Sequence, residues 1–188
     1  MAGRVLVDTN VLVYLFDPRE PVKRLGAVAV VTALEQADRG VLSQQVLSEF
    51  ARVTSERVPQ GPTREELIGA VLDFSRKWPV LSVTPAVIAE ALGIAGRTGR
   101  SFWDAQLIAT ARVHGIATIV SEDFSDGAEI EGVRLVDPFS VEFHPSVLGV
   151  CPTRGGEGME SMIIGSRSIR LVQGDITRVH ADAIVNAA

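Results

Sequence analysis

"RVLVDTNVLVYL", residues 4–15, decides how the rest of the chain is read. Residues 4–7 form a short run rich in β-branched side chains, the composition of a buried strand. The run stops at Asp8. Thr9 and Asn10 follow, polar side chains able to cap a helix that carries Val11, Leu12, Leu15 and Phe16. A carboxylate between strand and helix is either a helix cap or one corner of an acidic reaction centre. Partners for Asp8 elsewhere in the chain distinguish the two.

The same alternation continues along the sequence. A second helix is expected over 22–39, with Gly40 as its stop, followed by the brief strand "GVLS" at 40–43. Ser43 caps "QQVLSEFARVTSER", and "TREE" at 63–66 is a capping box of Thr63 and Glu66 that opens a helix to about Trp78. "VLSV" at 80–83 is strand-like, and Thr84 with Pro85 opens the helix "TPAVIAEALGIAG". Ser101 caps "SFWDAQLIATARVHG", which Gly115 ends. "IATIV" at 116–120 reads as a buried strand, and "GVRLVDP" at 132–138 as an edge strand stopped by Pro138. Short apolar strands alternating with helices predict an α/β fold with a parallel sheet covered on both faces, over residues 1–143. Residues 144–166, including the Gly-rich "CPTRGGEGMES", read as a linker, and 167–188 as the start of a second unit.

The bulk properties bound the function. The chain has 188 residues, 46% of them hydrophobic, enough for a sizeable core. A single cysteine, Cys151, offers no internal disulfide and fits a reducing compartment. The longest apolar stretch, "GAVAVVTAL" at 26–34, falls far short of the roughly 20 residues that span a bilayer. No charged-then-apolar leader precedes "RVLVD", so the expectation is a soluble cytoplasmic protein without membrane contact. The formal charge of −5 weighs against a passive nucleic-acid binder, but not against an enzyme that holds phosphates through metal ions and a few arginines. All the basic residues except Lys23 and Lys77 are Arg, whose planar fork suits phosphate. Arg richness is equally what a genome's base composition produces.

Partners for Asp8 are present. Asp123, in "VSED", follows the strand "IATIV"; Glu49 lies one turn into the helix after "VLS"; Asp104 lies in the first turn after Ser101. Ligands of a parallel sheet gather outside the carboxyl ends of its strands, and all four acids can point toward that rim. Each also has an ordinary role when taken singly. Asp8 can be an N-cap, Glu49 can pair with Arg52, Asp104 can close a capping box with Ser101, and Asp123 can be a turn acid, with Glu122 and Asp126 near enough to be confused with it. Four converging carboxylates cannot all stay ionised without a counter-charge. Mg2+ or Mn2+ prefers such oxygen ligands, and one or two ions would hold a phosphodiester, polarise it and generate a hydroxide nucleophile.

"VLVDTNVLVYLFD", "SQQVLSEFARV", "SFWDAQLIATA" and "TIVSEDFSDG" occur in that order. Together they resemble the four acidic motifs of PIN-domain ribonucleases, most closely the VapC-like toxins of type II toxin–antitoxin systems, across about residues 4–140. The resemblance implies a three-layer α/β/α fold and a metal-dependent endoribonuclease. It places Asp8, Glu49, Asp104 and Asp123 at the acidic metal-ligand positions, Asn10 at the polar position after the first acid, and Thr9 and Ser121 at hydroxyl positions that hold the acids. Asp8, Asp104 and Asp123 would hold the Mg2+ or Mn2+ ion, and Glu49 would ligate it or orient the attacking water. The family fills the Glu122 position variably, so Glu122 ranks below Asp123. The resemblance also implies an RNA substrate, a cognate antitoxin and a homodimer. No His is called for: His114 reads as a helix-end charge partner, and His144 and His180 have no assigned role.

Three rivals differ in class. A haloacid-dehalogenase-like phosphatase also uses a strand-end Asp, but needs a second Asp where this chain has Asn10. A nuclease acting on DNA shares the acid set. A nuclease-dead module binding RNA or protein would have no use for all four acids. The tail "IRLVQGDITRVHADAIVNAA", 169–188, resembles the start of a macro domain, the fold that binds ADP-ribose, with Asp175 and Ile176 at the adenine-contacting turn. Some 20 residues of a domain that spans on the order of 100–150 cannot close a core, so no ADP-ribose binding is expected of it.

Overall fold

The computed structural model describes residues 3–150 and the two strands at 160–164 and 167–171. Strand β1 (Val5–Val7) is wholly buried, as its unbroken Val/Leu run requires. It pairs in parallel with β2 (Gly40–Ser43) on one side and β4 (Thr118–Val120) on the other. Beyond β2 lies β3 (Val80–Leu81), also parallel; beyond β4 lies β6 (Val133–Val136), parallel again, and then β5 (Glu129–Ile130), antiparallel to β6. The sheet order is therefore β3-β2-β1-β4-β6-β5. From β1 the chain builds first toward β3 and only later toward β5. The carboxyl ends of β1 and β4 thus flank the point where the connections diverge.

Among the described residues six helices flank this sheet, giving the expected α/β architecture: α1 (Thr9–Tyr14), α2 (Pro21–Gln36), α3 (Gln44–Arg57), α4 (Arg64–Lys77), α5 (Pro85–Thr98) and α6 (Phe102–Val113). The local signals act as read. Ser43 Oγ accepts from Val46 N, Thr63 and Glu66 form both halves of a capping box, and Thr84 caps α5 ahead of Pro85. Gly115, at φ +69°, takes the left-handed turn after α6. Helix α5 packs along α6, and a run of rings from Phe16 through Phe50 and Phe74 to Trp78 joins α1, α3 and the end of α4. Among the described residues no helix is long and apolar enough to cross a membrane.

Three boundaries depart from the sequence reading. Helix α2 ends at Gln36, and Asp38 at φ +50° makes the turn that Gly40 was expected to make. Gly40 instead opens β2, where a Cβ would stand 2.3 Å from the Trp78 ring; its missing side chain is a packing requirement. The 132–138 strand is not an edge. It is covered by β5, a two-residue strand too short for periodicity to show. Within the segment read as linker, Pro145–Leu148 form a 3-10 turn and Glu160–Ile164 form β7, which pairs antiparallel with β8 (Arg167–Leu171). Arg39 ties the 3-10 turn to the sheet, donating to the Leu148 carbonyl and, at 2.7 Å, to that of Gly3.

Candidate active site

Register brings the ends of β1 and β4, with Asp8 and Asp123, to one rim. Val7 lies level with Val120, so Asp8 leaves β1 beside Ser121 leaving β4, and Asp8 N donates to Val120 O at 3.0 Å. Asp8 is itself the N-cap of α1: Oδ1 accepts from Thr9 N at 2.6 Å, and Oδ2 accepts from Ser121 Oγ at 2.6 Å. Of the capping side chains the sequence offered, Asp8 is the one used, and not Thr9 or Asn10. One carboxylate caps the helix with one oxygen and meets the rim with the other.

Thr9 and Asn10 are the connectors. Thr9 Oγ1 donates to Glu49 Oε2 at 3.2 Å. Asn10 Nδ2 faces three acceptors, Asp8 Oδ2 at 3.4 Å, Ser121 Oγ at 3.1 Å and Asp123 Oδ2 at 3.2 Å. Ser121 Oγ also receives the Asp123 amide at 3.1 Å, which fixes the turn carrying that acid. Asp104 enters from α6. Ser101 Oγ accepts from its backbone amide at 3.1 Å, so the cap does not use the Asp104 carboxylate.

The neighbouring acids are resolved by their partners. Glu122 is engaged by Lys23 at 2.6 Å and by the Tyr14 hydroxyl, and Asp126 accepts from Asp137 N at 2.9 Å. Glu122 is thus neutralised by Lys23, though its charge still acts on Asp123. Arg52 pairs with Glu56 at 3.3 Å, not with Glu49. His114 ends α6 with Nε2 3.2 Å from Ser82 O, remote in role from the acids.

The electrostatics are those of buried, crowded carboxyls, with Lys23 an opposing charge at Asp123. Burial pushes the Asp8 carboxyl up to about 7 from a usual 3.8, against the hydrogen bonds from Ser121 and Thr9, and the charges of Asp123 and Glu49 push further. Asp123 stands at the open lip. The protein around it still raises its carboxyl above the ordinary range; the Asn10 hydrogen bond opposes this, and the charges of Glu122 and Asp104 add to it. Among the described residues no three His, Cys, Asp or Glu side chains stand close enough together to chelate an ion as placed. The donors themselves, carboxylate oxygens with the buried and unpartnered Asn10 Oδ1 beside them, suit a hard divalent cation.

Two residues escaped the sequence reading. Gln106 Nε2 donates to Gln45 Oε1 at 2.8 Å, and Gln45 Nε2 reaches Glu49 Oε1 at 3.3 Å and Trp103 O at 3.2 Å. This amide relay ties α3 to the start of α6 and orients Glu49. The signal was a Gln inside the apolar run "AQLIATA", where a buried amide needs a partner.

Comparison with known proteins matches this architecture. Residues 5–125 fit the PIN domain model, and the chain belongs to that family. Its fold is similar to the toxin–antitoxin complex from Klebsiella pneumoniae, with 17% identity and a TM-score of 0.52 over 73% of this chain and 99% of that one. FitAcB from Neisseria gonorrhoeae matches with 21% identity and a TM-score of 0.52, over 73% of this chain and 99% of that one. VapBC2 from Rickettsia felis, bound to a DNA fragment from their promoter, matches with 15% identity and a TM-score of 0.50, over 70% and 96%. A search of curated proteins finds no match. The family match ends at residue 125, and the macro-domain resemblance of the tail finds no support; Asp175 and Ile176 lie outside the described residues.

Proposed function

We propose that the chain is a Mg2+- or Mn2+-dependent endoribonuclease, the toxin of a toxin–antitoxin pair, acting in the reducing cytoplasm. The observation that carries the reading is the shared hydrogen-bond set through which Asn10 Nδ2 joins Asp8, Ser121 and Asp123 at the sheet's switch point. Among the described residues no Lys or Arg pairs with Asp8, whose carboxyl burial pushes up to about 7, and perturbed carboxyls of this kind cluster at functional sites. Asp8, Asp104 and Asp123 would hold the ion, which when bound supplies Lewis acidity toward the phosphodiester and lowers the pKa of a water.

The chain's own groups do the positioning. Thr9 N and Ser121 Oγ hold Asp8 in one rotamer, and Asn10 keeps Asp123 facing it. Glu49 takes one hydrogen bond on each oxygen, from Thr9 and from Gln45. Each oxygen keeps a lone pair for the attacking water, whose hydrogen Glu49 can accept as the water approaches phosphorus in line with the leaving oxygen. The structural relatives are toxin–antitoxin and VapBC complexes, which supports a small antitoxin covering the acidic rim, and a homodimer is proposed on the same family footing.

The test is incubation of the purified protein with total RNA, with Mg2+ and with EDTA, followed by mapping of cut ends. Mg2+-dependent cleavage is expected, lost in Asp8→Asn and Asp104→Asn, with single-stranded DNA of equal length left intact. Cleavage by both variants at the wild-type rate would sink the reading. Cutting of the DNA instead would move the substrate class.

A further inference from the structure

Between the first turns of α3 and α6 lies an open cleft of about 640 Å3, whose walls include Gln44, Gln45, Glu49, Arg52, Trp103 and Gln106. Glu49 belongs both to this cleft and to the acidic rim, so the two are one continuous surface. Trp103 is the residue before Asp104 and is 59% exposed, an aromatic face open to solvent beside the acids. It is nonetheless held: its carbonyl accepts from Gln45 Nε2 at 3.2 Å, and its ring meets Phe102 edge-on at 5.6 Å. A positioned, exposed aromatic face beside amide side chains and an arginine has the chemistry of a nucleobase seat.

Resting on the ribonuclease reading, we propose that this cleft binds an unpaired base flanking the scissile phosphodiester, stacked on Trp103. A phosphodiester at the acids must carry a nucleoside on each side, and the cleft opens directly from Glu49. The Gln44 side-chain Oε1 accepts from Val83 N at 3.1 Å, so the Nε2 donor of this cleft-lining amide lies opposite that contact. Arg52, also in the lining, pairs among the described residues with the exposed Glu56 at 3.3 Å, a contact weak enough to yield to a phosphate. A base in a duplex has both faces stacked on its neighbours, so the seat selects single-stranded segments, loops or ends. It would thereby set the strandedness of the substrate, a property the acids themselves do not read.

The experiment uses the Asp8→Asn protein in Mg2+, so that binding is read without turnover. A fluorescein-labelled 12-nucleotide single-stranded RNA is titrated by anisotropy against that protein and against its Trp103→Ala and Trp103→Phe derivatives. Trp103→Ala should bind roughly ten-fold more weakly or worse, and Trp103→Phe should recover most of the loss. The same RNA annealed into a blunt duplex should bind more weakly than the single strand. Trp78 is 3% exposed, so quenching of tryptophan emission by the RNA reports Trp103 and should vanish in both derivatives. Equal thermal midpoints show that the substitutions leave the fold intact. Equal RNA affinity with and without Trp103, or no detectable RNA binding, overturns the proposal and leaves the cleft as a surface for a protein partner. Failure of the wild type to cut any RNA, with Trp103-dependent binding retained, overturns the ribonuclease reading and not the base seat.

Discussion

Asp8 does two jobs with one carboxylate. Oδ1 closes the first turn of α1 and Oδ2 anchors the rim through Ser121, which takes the group nearly out of water, at 8% exposure. The unfolded chain ionises this group near its ordinary 3.8, the folded one at about 7. Between those values the folded protein holds a proton that the unfolded chain has released. Stability therefore falls as pH rises from about 4 to about 7, and is level above that, a loss on the order of 4 kcal/mol at most. Melting midpoints in EDTA should drop between pH 5 and pH 8 in the wild type and much less in Asp8→Asn. The variant should then be the more stable of the two at pH 8 while losing cleavage. Parallel drops in both proteins would show that Asp8 ionises normally.

At the scale of elements, the helix starts were readable because a cap is a local event. Ser43, Thr63, Thr84 and Ser101 each accept from an amide three residues on, and nothing distant is needed to see it. Strand β2 shows the opposite case. Gly40 looked like the stop of α2, yet its lack of a Cβ serves Trp78, thirty-eight residues away in sequence and pressed against it. Gly40→Ala should therefore cost about 1–3 kcal/mol in chemical denaturation, through displacement of Trp78 from the ring stack with Phe74. A neutral result would mean that Trp78 has room to move. Placement of β6 inside the sheet likewise depends on β5, whose two residues carry no period. The Gln106–Gln45–Glu49 relay is also an inter-element fact, visible only once α3 and α6 lie side by side.

For the molecule as a whole, the acids destabilise one another, and relief by a bound cation should appear as global stability. Burial raises both Asp8 and Asp123; the charges of Asp123 and Glu49 add to the first, and those of Glu122 and Asp104 to the second, with Lys23 opposing. Mg2+ at tenfold its dissociation constant should raise the melting midpoint by roughly 3–5 °C. Asp8→Asn should blunt that rise, and a midpoint flat across a Mg2+ titration would count against a preformed cation site. The sequence by itself determined the α/β alternation and the helix caps, and it named four candidate acids, because periodicity, capping and strand ends are properties of adjacent residues. Only the tertiary structure decided that Asp8 caps its own helix, that Glu122 turns away to Lys23 and Tyr14, and that Asn10 spans two strand ends. Those choices depend on parallel register, which sets Val7 level with Val120 across more than a hundred residues of intervening chain.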